Sequence, residues 1–284
     1  MQIVRNPKEF QNICFSDRCR GMTTALVPTM GYFHAGHLSL IEWARENAEK
    51  VYVSLFINPA QFSPSEDLDT YPRDIERDTR LARETGCDVL FMPETQDMYP
   101  VGHSTSVEVP ELSRHLCGAS RPGHFRGVAT VVSMLLNLAL PALAVFGEKD
   151  RQQLAVIRRM AADLHLPTEI VGRPIVREPG GLAMSSRNTY LSPEERSRAS
   201  HVYRGLILGR EKFRAGESAA AGIKEAILEY YHEHLDRDEI DYVSIVDEET
   251  LQPAEKIRPG TVAAVAVKIG KARLIDNMTL MEGV

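Results

Sequence analysis

The chain has 284 residues, room for about two domains and a sizeable core, which excludes a peptide or a cross-linked mini-protein. Apolar residues make up 43% and charged residues 25%, and no stretch is biased enough to resist folding. Thirty-three Lys and Arg against thirty-nine Asp and Glu give a net charge of −6, which lacks the basic footprint of a nucleic-acid binder but leaves room for local basic pockets that suit a small anion.

The N-terminus carries Arg5, Lys8 and Glu9 where a signal peptide needs its apolar core, so no export is expected. Cys14, Cys19, Cys87 and Cys117 are scattered without a C-x-x-C pair, as in a reduced, cytoplasmic protein. From residue 20 to 175, β-branched runs alternate with helical stretches. Strands are predicted at Thr24 to Val27, Val51 to Ile57, Val89 to Met92, Leu143 to Phe146 and Glu169 to Val171. Helices are predicted at Gly36 to Glu49, Asp74 to Thr85, Val128 to Leu140 and Asp150 to Leu164. The uncharged run from Val128 to Phe146 has the length of a membrane span, but Thr130, Ser133, Asn137 and Pro141 divide it into a buried helix and a strand. Alternation of this kind specifies a parallel sheet with crossover helices, whose sites lie at the carboxyl ends of the strands.

The turn-rich segment Gly172 to Gly181 marks a junction. Beyond it, Ser192-Pro-Glu-Glu195 reads as a capping box opening a helix towards Phe213, and a second helix fits Ser218 to His234. Alternating runs at Tyr242 to Val246, Val262 to Val267 and Ala272 to Asp276, with a tight turn at Ile269-Gly270-Lys271, predict antiparallel strands in a small α+β unit.

The strongest chemical signal is Pro28-Thr-Met-Gly-Tyr-Phe-His34-Ala-Gly36-His37, between the first of these strands and the first of these helices. A helix N-terminus there presents free N–H groups and a positive dipole end, which favour a phosphate. Gly31 lets the chain approach a ligand, Gly36 removes a side chain at the turn, and imidazole N–H groups can donate to developing phosphoryl charge. Zinc bound by the two histidines, or simple capping, is the alternative, but no third ligand cluster accompanies them. Lys149, after a later strand, suits a triphosphate as a point charge; in isolation it reads equally well as a surface lysine. Asp150 beside it could hold Lys149 or touch a magnesium ion bound mostly through phosphates. Asn58, Gln61 and Gln153 offer neutral amides for a small polar acid. Met184, Ser185, Ser186 and Arg187 lie on a glycine-flanked loop able to close over phosphates. Arg121, His124 and Arg126 form a basic cluster suited to a carboxylate or a subunit contact.

His-x-Gly-His after a strand resembles the nucleotidyltransferase superfamily that includes the class I aminoacyl-tRNA synthetases. The surrounding residues narrow the resemblance to the pantothenate synthetases, the pantoate:β-alanine ligases. They are Pro28-Thr-Met-Gly31, Phe56-Ile-Asn58-Pro-Ala-Gln61, Tyr71-Pro-Arg73, the stretch from Arg121 to Val132, Gly147-Glu148-Lys149-Asp150 with Gln153, Met184-Ser185-Ser186-Arg187-Asn188, and Arg273-Leu-Ile-Asp276-Asn277. Phe33, Ala35 and Gly180 depart from the family's usual Leu, Glu and Asp.

The resemblance implies an α/β fold: a Rossmann-like parallel-sheet domain for ATP and pantoate over residues 1–177, and a smaller C-terminal α+β lid over 178–284. It implies an ATP-dependent ligase that makes pantothenate through an enzyme-bound pantoyl adenylate, releasing pyrophosphate and AMP. His34, His37 and Lys149 would be catalytic. ATP would also meet Met30, Gly31, Gly36, Gly147, Glu148, Asp150, Val176 and the Met184–Arg187 loop, while Asn58, Gln61 and Gln153 would hold the acid. Magnesium would enter as the counter-ion of ATP with no resident metal site, and the molecule would be a cytoplasmic homodimer without nucleic-acid or membrane partners. Another His-x-Gly-His nucleotidyltransferase is the alternative.

Overall fold

The computed structural model describes residues 1–64 and 66–281. In chain order it has β1 (Gln2–Val4), α1 (Pro7–Cys19), β2 (Thr24–Thr29), α2 (Ala35–Asn47), β3 (Lys50–Leu55), α3 (Ile75–Glu84) and β4 (Val89–Phe91). Three single-turn helices follow, α4 (Thr95–Met98), α5 (Pro110–Ser113) and α6 (Cys117–Ser120), then α7 (His124–Ala139), β5 (Leu143–Gly147), α8 (Arg151–Asp163) and β6 (Glu169–Arg173). The remainder is α9 (Pro193–Arg214), α10 (Ala220–His234), β7 (Ile240–Asp247), β8 (Thr261–Ile269) and β9 (Ala272–Thr279).

The first six strands form one parallel sheet in the order β1-β4-β3-β2-β5-β6. From β2 the chain builds outward through β3 to β4 on one side and through β5 to β6 on the other. The order therefore reverses between β2 and β5, and a crevice opens at their carboxyl ends, where open α/β sheets bind ligands. Leu26, Val27, Val53 and Val145 on the central strands are fully buried, as a sheet covered on both faces requires. β1 and α1 escape a sequence reading because the strand is only three residues long and two of them are exposed. Asn6 caps α1, accepting from the Lys8 and Glu9 N–H groups.

α7 is apolar on nearly every face and sits in the core, ending at Leu140, which adopts a left-handed φ of 41° before Pro141. It begins four residues earlier than its periodicity predicts, at His124, just after Gly123 turns with φ 84°. No helix among the described residues is long and apolar enough to cross a membrane.

α9 and α10 pack on the antiparallel sheet β7-β8-β9 around a separate core that includes Leu206, Ile227, Tyr231 and Val265. Ser192 and Glu195 form the reciprocal cap that the sequence encodes, with bonds of 3.2 and 2.8 Å. Gly270, with φ 55°, makes the β8–β9 turn between paired Ile269 and Ala272. At Gly180 a Cβ would meet nothing closer than Ser200 Cβ at 3.9 Å, so a side chain there would have room.

Gly127 of α7 is where the helix meets the 3₁₀ turn Pro59–Gln61: an added Cβ would stand 2.1 Å from Ala60 O, and the Asn58 amide donates to Gly127 O at 3.1 Å. Gly127→Ala should destabilise the chain by about 1–3 kcal/mol through overpacking, read as a lower denaturant midpoint with unchanged slope.

Candidate active site

The Met30–Ala35 turn leaves β2 through Gly31 at φ 86° and Tyr32 at φ 52°, a left-handed pair that needs external support. Asp78, on the buried side of α3 and 1% exposed, supplies it by accepting from the Tyr32 and Phe33 N–H groups at 2.5 and 2.7 Å. Burial raises its pKa, while these two bonds favour the ionised form. Arg77 completes the clamp by donating to Phe33 O at 2.8 Å.

His34 is the N-cap of α2. Its Nδ1 accepts from Gly36 N–H at 3.1 Å, so the neutral ring carries its proton on Nε2. The rings of His34 and His37 lie 4.0 Å apart, and buried His37 Nδ1 has no hydrogen-bond partner. Burial, with help from the Lys149 charge, lowers His34 to about 4. Burial, His34 and Lys149 push His37 well below its ordinary value. Both imidazoles are thus neutral donors at physiological pH.

These rings line a cavity of about 230 Å³ at the β2/β5 crevice. Among the residues that the sequence nominates, Met30, Gly36, Asn58, Gln61, Gly147, Lys149, Asp150, Gln153, Val176 and the Met184–Arg187 loop share that wall. Lys149, Asp150, Gln153, Ser185 and Arg187 also face an adjoining cavity of about 590 Å³ that reaches the β7–β9 sheet.

Two nominated residues lie off the wall. Gly31 is not part of the wall; its φ of 86°, and the Asp78 and Leu55 atoms that a Cβ would meet at 3.1 Å, account for glycine in the turn. Glu148 turns away, its carboxylate 3.6 Å from Arg151 and its carbonyl accepting from Asn277. At Gly36 a Cβ would collide with the His34 ring at 2.9 Å.

Asn58 lines the cavity but does not present a free amide. It donates to Gln61 Oε1 and Gly127 O and accepts from Ala60 N–H and Tyr99 OH, bonds that fix it beside Gln61. Gln61 Nε2 rests on Met30 Sδ at 2.8 Å, and its carbonyl accepts from His124 Nδ1 and Arg121. His124 Nε2 then accepts from Arg121 at 2.9 Å, consistent with a ring lowered to about 4 by burial and Arg121. Arg121 and His124 therefore support the pocket, whereas Arg126 faces outward towards Glu108.

Across the cleft, Met184 N–H donates to Val176 O at 2.9 Å, and Ser186 Oγ donates to Tyr32 O at 3.3 Å, joining the serine loop to the histidine turn. Arg187 is held by Asp67 through two bonds of 2.8 Å and lies over the Tyr71 ring. Lys149 forms no ion pair among the described residues, so Asp150 does not anchor it. No group of three metal-ligating side chains occurs among the described residues.

Sequence reasoning missed Asp78, Asp67 and Asn277 as organisers of the site. Asp78 had a usable signal: it stands one turn before Ala82 on the buried stripe of α3, where a carboxylate is otherwise unfavourable.

The chain matches the family model for pantoate-beta-alanine ligase over residues 2–279. It is 57% identical to a pantothenate synthetase of Oleidesulfovibrio alaskensis, covering 99% of this chain and all of that one. It is 51% identical to one from Geobacter sulfurreducens over 99% of each chain. A crystal structure of pantothenate synthetase from Thermus thermophilus superposes with a TM-score of 0.92 at 46% identity over 99% of both chains. A pantoate-beta-alanine ligase from Francisella tularensis, complexed with beta-gamma ATP and beta-alanine, superposes at 0.79 and 32% identity, covering 100% of this chain and 99% of that one.

Depressed histidines link acid to unfolding. Between 6.5 and about 4 the unfolded chain takes up protons that folded His34 refuses, so stability present above 6.5 falls as pH drops through that window. Nitrogen-detected NMR should show the His34 ring as the Nε2–H tautomer down to about 4, and His34→Gln should flatten the dependence of Tm on pH there.

Proposed function

Because the chain belongs to the pantoate-β-alanine ligase family, it is an ATP-dependent ligase that joins pantoate to β-alanine, and we propose how its residues divide that work. The pantoate carboxylate attacks the α-phosphorus of ATP, the bond to the bridging β-phosphate oxygen breaks, and pyrophosphate leaves. The β-alanine amine then attacks the acyl carbon of the adenylate, the acyl–oxygen bond breaks, and AMP departs as the amine proton is lost.

The observation that carries the assignment is the pair of neutral imidazoles at the N-terminus of α2, facing Lys149 across the crevice. Neutral rings can donate to the α-phosphate without repelling the lysine, and the helix end adds its partial positive charge. Lys149, Ser185, Ser186 and Arg187 neutralise the leaving pyrophosphate. Met30, Gly147 and Val176 bound the nucleotide, with Gly31 and Glu148 shaping the turns behind it. Gln61 and Gln153 hydrogen-bond pantoate, and Gln61, kept in place by Asn58, also reaches the amine that replaces AMP.

Magnesium accompanies ATP. A lone Asp150 carboxylate beside Lys149 fits an ion held chiefly by substrate phosphates, and the ion would supply charge neutralisation there. The same proposal divides the chain into residues 1–177, which bind ATP and pantoate, and a lid of 178–284, and makes the molecule a cytoplasmic homodimer. Its cysteines are free thiols, as a reducing compartment allows, and sedimentation gives the assembly's mass.

In single turnover, ATP, magnesium and pantoate should release one pyrophosphate per active site, and β-alanine should then liberate AMP and pantothenate. His37→Ala should slow the first step by about 10²- to 10³-fold with the fold intact. Near-normal pyrophosphate release would remove His37 from the mechanism. Gln153→Ala should raise the KM for pantoate more than that for ATP.

A further inference from the structure

The Arg273–Asn277 segment is one of the family-like blocks, yet nothing in the chemistry above uses it. It lies on β9, in the antiparallel sheet, and Asn277 is 3% exposed. The Asn277 Nδ2 donates to Glu148 O at 2.9 Å and to Lys149 O at 3.0 Å, while its Oδ1 accepts from Arg151 Nε at 3.3 Å. All three partners belong to the 3₁₀ turn Glu148–Asp150 and the first residue of α8. That turn has no side-chain cap of its own at Gly147, and Asp150 makes none for α8. What holds the turn instead is Asn277, more than a hundred residues away in sequence, which ties down two of its carbonyls and the Arg151 side chain.

The strand beneath it is itself fixed. Asp276 accepts two bonds from the Arg177 guanidinium at 2.6 and 2.9 Å and a third from the Asn277 N–H at 2.8 Å. Arg151, held by Asn277, also donates to Glu248 at 3.0 Å and Thr279 at 3.3 Å. The Lys149 ammonium has no ion pair among the described residues, and Asn277 ties down the carbonyl of its own main chain.

We propose that Asn277 is the positioning residue for Lys149, so that docking of the β7–β9 sheet on the turn after β5 places the ammonium that receives the leaving pyrophosphate. This rests on the assignment of Lys149 to that step. An amide is suited to the task because one NH₂ group reaches two successive carbonyls while its oxygen takes the arginine. A carboxylate of the same shape would keep the arginine and turn two attractions into repulsions.

The test separates the two half-reactions of the whole enzyme in wild type, Asn277→Ala, Asn277→Asp, Lys149→Ala and the Lys149→Ala/Asn277→Ala double variant. Pyrophosphate release is followed first, then consumption of accumulated adenylate by β-alanine, with Tm recorded for each. Misplacement by an ångström can cost about 10²-fold, so both Asn277 variants should slow pyrophosphate release by up to about that factor. They should leave the β-alanine step unchanged, and the double variant should be no slower than Lys149→Ala. If Asn277→Ala fails to fold, Asn277→Asp, which preserves shape and the Arg151 contact, carries the comparison. Equal slowing of both half-reactions, or effects that multiply in the double variant, would reduce Asn277 to interdomain packing. Slow Lys149→Ala beside a normal Asn277→Asp would overturn this inference alone. An unaffected Lys149→Ala would overturn the role of Lys149 and this inference with it.

Discussion

Two backbone N–H groups bound to one buried carboxylate hold the site together. Gly31 and Tyr32 both lie in left-handed backbone conformation, and for the tyrosine that is unfavourable by about 1–3 kcal/mol. Asp78 offsets it by receiving the Tyr32 and Phe33 N–H groups, which would otherwise be left without partners beside the sheet. Only with the turn held there can His34 cap α2 through Nδ1 and leave Nε2–H for the cavity. The tautomer, the aim of both rings and the exposure of the helix N-terminus follow from a residue on another helix that is not itself part of the cavity wall.

The sheet order turns this local device into a binding site. Because strand order reverses between β2 and β5, the histidine turn and the Lys149 turn leave neighbouring strands and diverge, opening a crevice with a donor pair on one side and a cation on the other. Each turn is then secured by something distant: the first by Asp78 on α3, the second by Asn277 on β9. A site of this construction tolerates loop exposure at its mouth because its reactive groups stand on backbone fixed from behind.

Most of the architecture was legible because it is periodic. The five strands of the large sheet that carry continuous apolar β-branched runs or pair beside the crevice, the helices between them, the Ser192 cap and the Gly270 hairpin all follow from local pattern. β1 is not, because three residues with two exposed leave no alternation to read, and its pairing with β4 is a long-range fact. At the site, the residues that face the cavity were legible from motif chemistry, and those behind it were not. Asn58 shows the limit: its type suits a ligand contact, but its bonds to Gly127 and Tyr99, which fix its amide beside the cavity, are long-range and leave no mark in sequence. Gly31 is ambiguous for a related reason, since a positive φ and a close ligand approach leave the same mark in sequence.

The charges on the wall of the ATP-side cavity make a final distinction. Three cations line it, and two already have carboxylates: Arg121 is bound to Glu66 and Arg187 to Asp67. Lys149 alone of the three has no carboxylate ion pair among the described residues. On the proposed reading, an entering polyphosphate meets the charges of Lys149 and the α2 N-terminus with the Asp150 carboxylate beside them, while Arg187 can contribute its full charge only as phosphate oxygens displace or share with Asp67. Asp67 thereby holds the Arg187 guanidinium in place at the edge of the cleft before the nucleotide arrives, and its two-point contact keeps that planar group oriented. On the proposed reading both Lys149 and Arg187 face the leaving pyrophosphate, and stabilisation that they give only as it develops charge accelerates the step instead of merely tightening ATP.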